Sequence, residues 1–239
     1  MANASILPLS VDSLGFRTRG VTVLSALSFR VEAGSRNIVL GPNGAGKSVL
    51  LRLMHGLLTP TTGMVSWALT DAADIRRSQA MVFQRPVMLR RSVRENIEFA
   101  LHIAGHVSSV RGAAMAALEQ VGLAQLADRP AKLCSGGEQQ RIALARAWAL
   151  KPEVLFLDEP TASLDPAATK AIEEVVQAMH LAGTTIFMTT HDLGQAKRLA
   201  DRVLFLNHGR LVEDAPAVTF FAQPTAPEAA AFIRGELLW

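Results

Sequence analysis

The sequence predicts an α/β fold around a parallel sheet, on three observations. Short apolar strands alternate with helical segments along the chain, as in sheets whose parallel strands are joined by crossover helices. Several of those strands, such as "RNIVLG" and "VLFLD", read as buried runs. Apolar residues make up 49% of the 239, enough for a packed core and too many for a disordered chain.

Each element has its own signal. The first ~35 residues read as strands, with "VTVLSALSFRVEAG" a hairpin element and Gly34 a turn. "AGKSVLLRLMHGLL" has helical apolar spacing and is expected to end near Pro60. "GMVSWAL" and "AMVFQ" read as strands. From Ser92 to Ala149 the spacing is helical, as though a helical block were inserted into the sheet protein. Then follow strand "PEVLFLD", helix "PAATKAIEEVVQAMH", strand "TTIFMTT", helix "LGQAKRLA" and hairpin "DRVLFLNHGRLVED". The tail predicts two short helices around a Pro-containing turn.

Composition narrows the function. The formal charge is only +3, with no long basic run, so charge gives no reason to expect a nucleic-acid partner. The lone cysteine excludes an internal disulfide and fits a reducing compartment. "MANASILPLS" lacks the charged n-region and long apolar h-region of a secretory signal. No stretch reaches about 18 consecutive apolar residues, so any membrane role is expected to come through a partner.

Three segments carry chemistry. "KLCSGGEQQR", Lys132 to Arg141, places Ser135, Gly136 and Gly137 at the start of a long helix. Glycine is poor helix material, about 1 kcal/mol worse than Ala, but a bare helix N-terminus suits an anion. "GPNGAGKS", Gly41, Pro42, Asn43, Gly44, Ala45, Gly46, Lys47 and Ser48, matches the phosphate-binding loop pattern between a strand and a helix that runs on through Val49. Its glycines let backbone N–H groups close around phosphates, Lys47 would reach the β- and γ-phosphates, and Ser48 would ligate Mg²⁺. "VLFLDEP" ends a buried strand in two carboxylates. Asp158 would hold Mg²⁺ through water, and Glu159 would act as general base on an attacking water. Taken alone, that pair could equally be the acidic start of a helix.

The order of the motifs adds a family. P-loop, Phe83-Gln84, "SGGEQQR", "LFLDEPTASLD" and "TTHD" (Thr189 to Asp192) together resemble the ATP-binding-cassette ATPases over nearly the whole chain. The resemblance implies one domain over residues 1–239 with ATP and Mg²⁺ as cofactors. Its parts would be a RecA-like parallel-sheet core, an antiparallel β subdomain (about 1–35 and 64–70) and a helical subdomain (88–150) carrying the signature. Ser135, Gly136, Gly137 and Glu138 would cap the γ-phosphate of ATP held by a second copy of the chain. Gln84 would touch Mg²⁺ or the attacking water. His191 would contact the γ-phosphate and position Glu159. Asp165 would lie at the dimer interface while also capping the helix after Pro166. Two departures stand out. The family usually stacks adenine on an aromatic residue, often Tyr, and this chain has no Tyr, which leaves Phe16 as the positional match. Cys134 stands where the signature usually begins with Leu, and Glu138 where Gln is more common.

A single cassette without a transmembrane run resembles the detached ATPases of bacterial importers, peripheral on the cytoplasmic face of the cell membrane. Such a subunit works with an integral-membrane permease and, indirectly, a solute-binding protein. "RPVMLRRSVRENIEFAL" would receive the permease, with Val87, Met88 and Leu89 as apolar anchors and Arg90-Arg91 beside them. Within the importers the chain looks most like ATPases of tungstate-type oxyanion importers, and it is expected to lack the extra C-terminal regulatory domain of many molybdate and sugar importer ATPases. Other readings stay open: import of phosphate or amino acids, a division- or assembly-type machine, or an unrelated P-loop kinase. Co-purification with a polytopic membrane protein separates transport from the machines, and ATP-dependent dimerisation excludes the kinase. Cys134 has two opposed expectations, an activated thiol at a helix start or an inert buried one.

Overall fold

The computed structural model describes residues 5–105 and 108–236. Parts of three sequence-read stretches lie outside them: residues 1–4 of the N-terminal region, 106–107 of the helical block and 237–239 of the tail. The chain opens with β1 (Leu9–Thr18), β2 (Val21–Val31) and β3 (Arg36–Leu40), then α1 (Lys47–His55), β4 (Thr62–Trp67), α2 (Ala72–Arg77) and β5 (Gln79–Val82). The helices α3 (Val93–Ile103), α4 (Val110–Gln120) and α5 (Gly136–Ala149) come next. The remainder is β6 (Val154–Asp158), α6 (Pro166–Leu181), β7 (Thr185–Thr189), α7 (Leu193–Leu199), β8 (Arg202–Asn207), β9 (Arg210–Pro216), α8 (Ala217–Ala222) and α9 (Pro227–Ile233).

Two sheets result. β2, β1 and β4 form an antiparallel three-stranded sheet, and six strands form a larger one in the order β5-β6-β7-β3-β8-β9. The larger sheet is parallel except for the β8–β9 hairpin. Its central strands β6, β7, β3 and β8 are largely buried on both faces, whereas the edge strand β9 is mostly exposed or half-buried. Side chains alternate across a strand, so Ile38 and Leu40 enter one core while Val39 enters the other. The same split sends Leu155 and Leu157 to the core shared with α3–α6, and Phe156 to the core shared with α1 and the small sheet. Phe156 stacks there on Phe187, with ring centroids 5.2 Å apart.

Local signals set the helix ends. α3 begins in a capping box, Ser92 accepting from Glu95 N–H and Glu95 accepting from Ser92 N–H. Asp165 caps α6 by accepting from Ala168 N–H at 2.9 Å, with Pro166 in the first turn. Asp192 caps α7 the same way, accepting from Gln195 N–H at 2.9 Å. α1 ends at His55, five residues short of the expected Pro60, because Gly56 takes a left-handed conformation and Leu57 N–H turns back to Arg52 C=O at 2.8 Å. α2 is an element that the sequence reading lacks. Asp71 caps it through Ala73 and Asp74 N–H, but it buries no residue fully and so carries no apolar period. The tail forms the two expected short helices; Phe220 and Phe232 pack on Phe205, and the Glu213 carboxylate accepts from Thr225 and Ala226 N–H.

No helix among the described residues is long and apolar enough to cross a membrane.

Candidate functional site

Four strands deliver their following loops to one edge of the large sheet. The carboxyl ends of β5, β6, β7 and β3 lie side by side, and ligands of open α/β sheets bind beyond such ends. The loop after β3 is Gly41–Gly46, β6 ends in Asp158 with Glu159 following, β7 leads to His191, and β5 leads to Gln84. A cleft of about 590 Å³ opens there, lined by Asn43, Gly44, Gly46, Lys47, Ser48, Val49, Gln84, Glu159 and His191. Val23, Ala162 and Ser163 complete the lining and were not among the residues singled out from sequence.

The phosphate-loop lysine is buried, only 5% exposed. Its ammonium donates to Gly41 C=O at 2.8 Å and Pro42 C=O at 3.1 Å, and stands 3.8 Å from a Glu159 carboxylate oxygen. Burial pushes its pKa below the ordinary lysine value, against the opposing pull of Glu159 and Asp158. Ser48 Oγ donates to Asp158 Oδ1 at 2.6 Å. His191 Nδ1 lies 3.3 Å from Glu159 Oε2. Lys47, Ser48, Asp158, Glu159 and His191 are therefore one contiguous polar cluster. Ala45 is buried in the apolar core beneath the loop, away from the cleft lining. Gly46 has φ 98°, and a Cβ there would fall 2.5 Å from Leu24 Cδ2, so only glycine lets the loop lie against β2.

Ser48 Oγ and the Asp158 carboxylate are hard oxygen donors few in number. That set fits Mg²⁺, which keeps waters and substrate phosphates in its remaining positions. The described residues hold no cluster of three or more His, Cys, Asp or Glu side chains that could cage a metal by themselves.

The signature residues stand apart. Ser135, Gly136, Gly137, Glu138 and Asp165 are absent from the cleft lining. The start of α5 is not bare, contrary to the sequence reading. Glu138 N–H donates to Ser135 Oγ at 3.3 Å, and Ser135 N–H donates to Glu138 Oε2 at 2.7 Å. This capping box satisfies part of the helix end from within the chain. Gly137 also has an internal reason. A Cβ there would approach Ala168 Cβ to 2.9 Å, so its small size lets α5 and α6 meet. Ser135 and Gly136 remain exposed.

Three further expectations resolve in different ways. Phe16 is half-buried on β1, paired with Leu24 and packed on the core, and it does not line the cleft. Of the three loop anchors, Val87 is 71% exposed but Met88 is only 6% exposed. Met88 joins the helical core and is withdrawn as a surface anchor, and Leu89 is half-buried with its N–H bonded to Asn96 Oδ1. Arg90 and Arg91 are exposed, Arg91 lying over the Phe99 ring at 4.8 Å.

Cys134 is also buried, and desolvation together with Glu138 pushes its thiol pKa up, with Arg129 opposing. Burial favours the inert-thiol expectation. A raised pKa means less thiolate at neutral pH. Bulky maleimide is expected to label Cys134 at least ~10-fold more slowly than a free cysteine at pH 7.5; labelling at the free-cysteine rate would contradict the burial.

The strand order, the phosphate-binding loop after β3 and the carboxylate that ends β6 define a P-loop nucleoside triphosphatase fold. Residues 24–162 match the family model described as ABC transporter, and the chain belongs to the ABC transporter family. It is 38% identical over 209 residues to the tungstate uptake system ATP-binding protein TupC of Peptoclostridium acidaminophilum, covering 87% of this chain and 98% of that protein. It is 36% identical to the phosphate import ATP-binding protein PstB 2 of Natronomonas pharaonis, covering 97% and 88%. Among solved structures, cbiO1 of Clostridium perfringens, part of the ABC transporter complex cbiONQ, superposes with a TM-score of 0.81 at 28% identity over 90% of both chains.

Proposed function

We propose that this chain is the ATP-hydrolysing subunit of a membrane importer, working as a head-to-tail dimer on the cytoplasmic face of the membrane. The observation that carries the proposal is the convergence of Lys47, Ser48, Glu159 and His191 on one cleft beside the phosphate loop, with the buried Asp158 hydrogen-bonded to Ser48.

The roles follow from position. Lys47, held by two loop carbonyls, exchanges those weak partners for β- and γ-phosphate oxygens. Ser48 and Asp158 hold Mg²⁺, with Gln84 at the rim of the cleft. Bound Mg²⁺ neutralises charge on the phosphate oxygens. Glu159 accepts the proton of the attacking water, and His191 at 3.3 Å fixes the orientation of its carboxylate. Ser135, Gly136, Gly137 and Glu138 sit outside their own chain's cleft and close over the ATP of the partner copy. Asp165 caps α6 and lies at the same interface.

Adenine rests on Phe16. Support comes from register: Phe16 lies directly across from Leu24, whose side chain abuts Gly46 of the phosphate loop. Phe16→Ala is expected to raise the KM for ATP several-fold with little change in kcat, since stacking is made equally in ground and transition states. An unchanged KM, measured by steady-state ATPase assay, would assign the ring to core packing alone.

The permease contact falls on the loop from Arg85 to Arg91, where Val87 offers the exposed apolar anchor and Arg90-Arg91 the charged rim. The cargo proposed is a tetrahedral oxyanion, tungstate before molybdate, supported by the tungstate uptake relative. The phosphate import relative supports phosphate as the second reading. Metal and phosphate accumulation in cells lacking this chain tests both. Loss of tungsten accumulation supports the first, loss of phosphate uptake alone supports the second, and normal levels of both exclude oxyanion import.

A further inference from the structure

We infer that Thr189 is a positioning residue that ties the Asp158 carboxylate and the Glu159 backbone into one hydrogen-bonded unit. The inference rests on reading Asp158 as the metal-holding carboxylate and Glu159 as the base. Thr189 is the last residue of β7, lies directly across from Asp158 on β6, and is fully buried. Its hydroxyl faces both acidic residues. Oγ1 accepts from Glu159 N–H at 2.8 Å and lies 3.0 Å from Asp158 Oδ1, to which it donates its single proton; Leu157 C=O at 3.5 Å is the weaker alternative.

The unit matters because Glu159 is conformationally expensive. Its φ is 44°, in the left-handed region that residues with a Cβ rarely adopt, and such residues persist only where their surroundings hold them. Glu159 N–H has the Thr189 hydroxyl as its acceptor, so this bond fixes the turn that aims the Glu159 side chain at Lys47 and His191. The same hydroxyl donates to the carboxylate of Asp158. Ser48 is the other hydroxyl donor to Asp158 Oδ1, but it belongs to the phosphate loop. Thr189 belongs to the sheet, and it stays with Asp158 whatever Ser48 contacts. The hydroxyl of Thr185, at the other end of β7, accepts from Gly34 N–H at 2.9 Å; that of Thr189 is taken up by Glu159 and Asp158.

Thr189→Val removes the hydroxyl and nearly keeps the shape, and Thr189→Ser keeps the hydroxyl and loses a methyl. Amide hydrogen exchange on the nucleotide-free protein reads the Glu159 N–H directly, without any hydrolysis. Thr189→Val is expected to accelerate exchange in the peptide containing Glu159. It should lower kcat by about 10- to 100-fold, as misplacement of a catalytic group does, with the KM for ATP changed less than about threefold. Thr189→Ser should restore protection and most of the rate. Wild-type exchange and turnover in Thr189→Val, beside an inactive Glu159→Gln, would overturn this inference alone. So would a Thr189→Ser protein that behaves like Thr189→Val, because the methyl would then be responsible. A Glu159→Gln protein with full activity would overturn the reading of the site and this inference with it.

Discussion

Glu159→Gln is expected to bind Mg-ATP about as tightly as the wild type and to hydrolyse it about 10²–10⁴-fold more slowly, the usual contribution of a general base. Gln keeps the size of Glu and can still accept from His191, so the turn at residue 159 survives. It cannot take a proton from water. In the proposed site the phosphate contacts come from Lys47, Ser48 and the loop backbone, and the substitution removes none of these groups. Removing the carboxylate 3.8 Å from the Lys47 ammonium also removes a negative charge from the phosphate site, which favours retention of the nucleotide. Single-turnover hydrolysis and equilibrium binding of a fluorescent ATP analogue check the two halves separately. Wild-type hydrolysis would assign the base elsewhere.

Lys47→Ala is expected to weaken Mg-ATP binding by about 10- to 100-fold, the worth of a charge-assisted hydrogen bond to phosphate. The buried ammonium is held by two backbone carbonyls and one carboxylate, so its removal leaves three acceptors facing the cleft with no cation among them. A polyanion then meets negative potential where it met a positive charge. Titration calorimetry measures the change. Affinity within about threefold of wild type would place the triphosphate elsewhere.

Much of this site is legible in the sequence because its determinants are local. The phosphate loop is eight consecutive residues between a strand and a helix, and Asp158-Glu159 ends an apolar run whose burial follows from residue type. The central strands of the large sheet are legible for the same reason, since burial on both faces makes them largely apolar segments. What the sequence hides is set by distant contacts. Met88 and Val87 are neighbours of similar character, yet one joins the helical core and the other faces outward, and no periodicity in that loop distinguishes them. Gly137 reads as a device for a ligand alone until α6 is seen to press Ala168 against it. The tie between Thr189 and Glu159 spans thirty residues of chain. Thr185 of the same strand is also a threonine, so residue type alone does not single Thr189 out. α2 escapes because a short, capped helix that buries nothing leaves no apolar pattern.

Ser135, Gly136 and Gly137 lie outside the cleft of their own chain, and in the proposed dimer each cleft is completed by the signature helix of a second copy. Sedimentation velocity of the Glu159→Gln protein tests this most directly. Without nucleotide it should sediment as the 25.7 kDa monomer, and with Mg-ATP as a species of twice that mass. Substituting Ser135 by Arg should abolish the shift while leaving ATP bound to the monomer. A Glu159→Gln protein that binds Mg-ATP and remains monomeric would contradict the account.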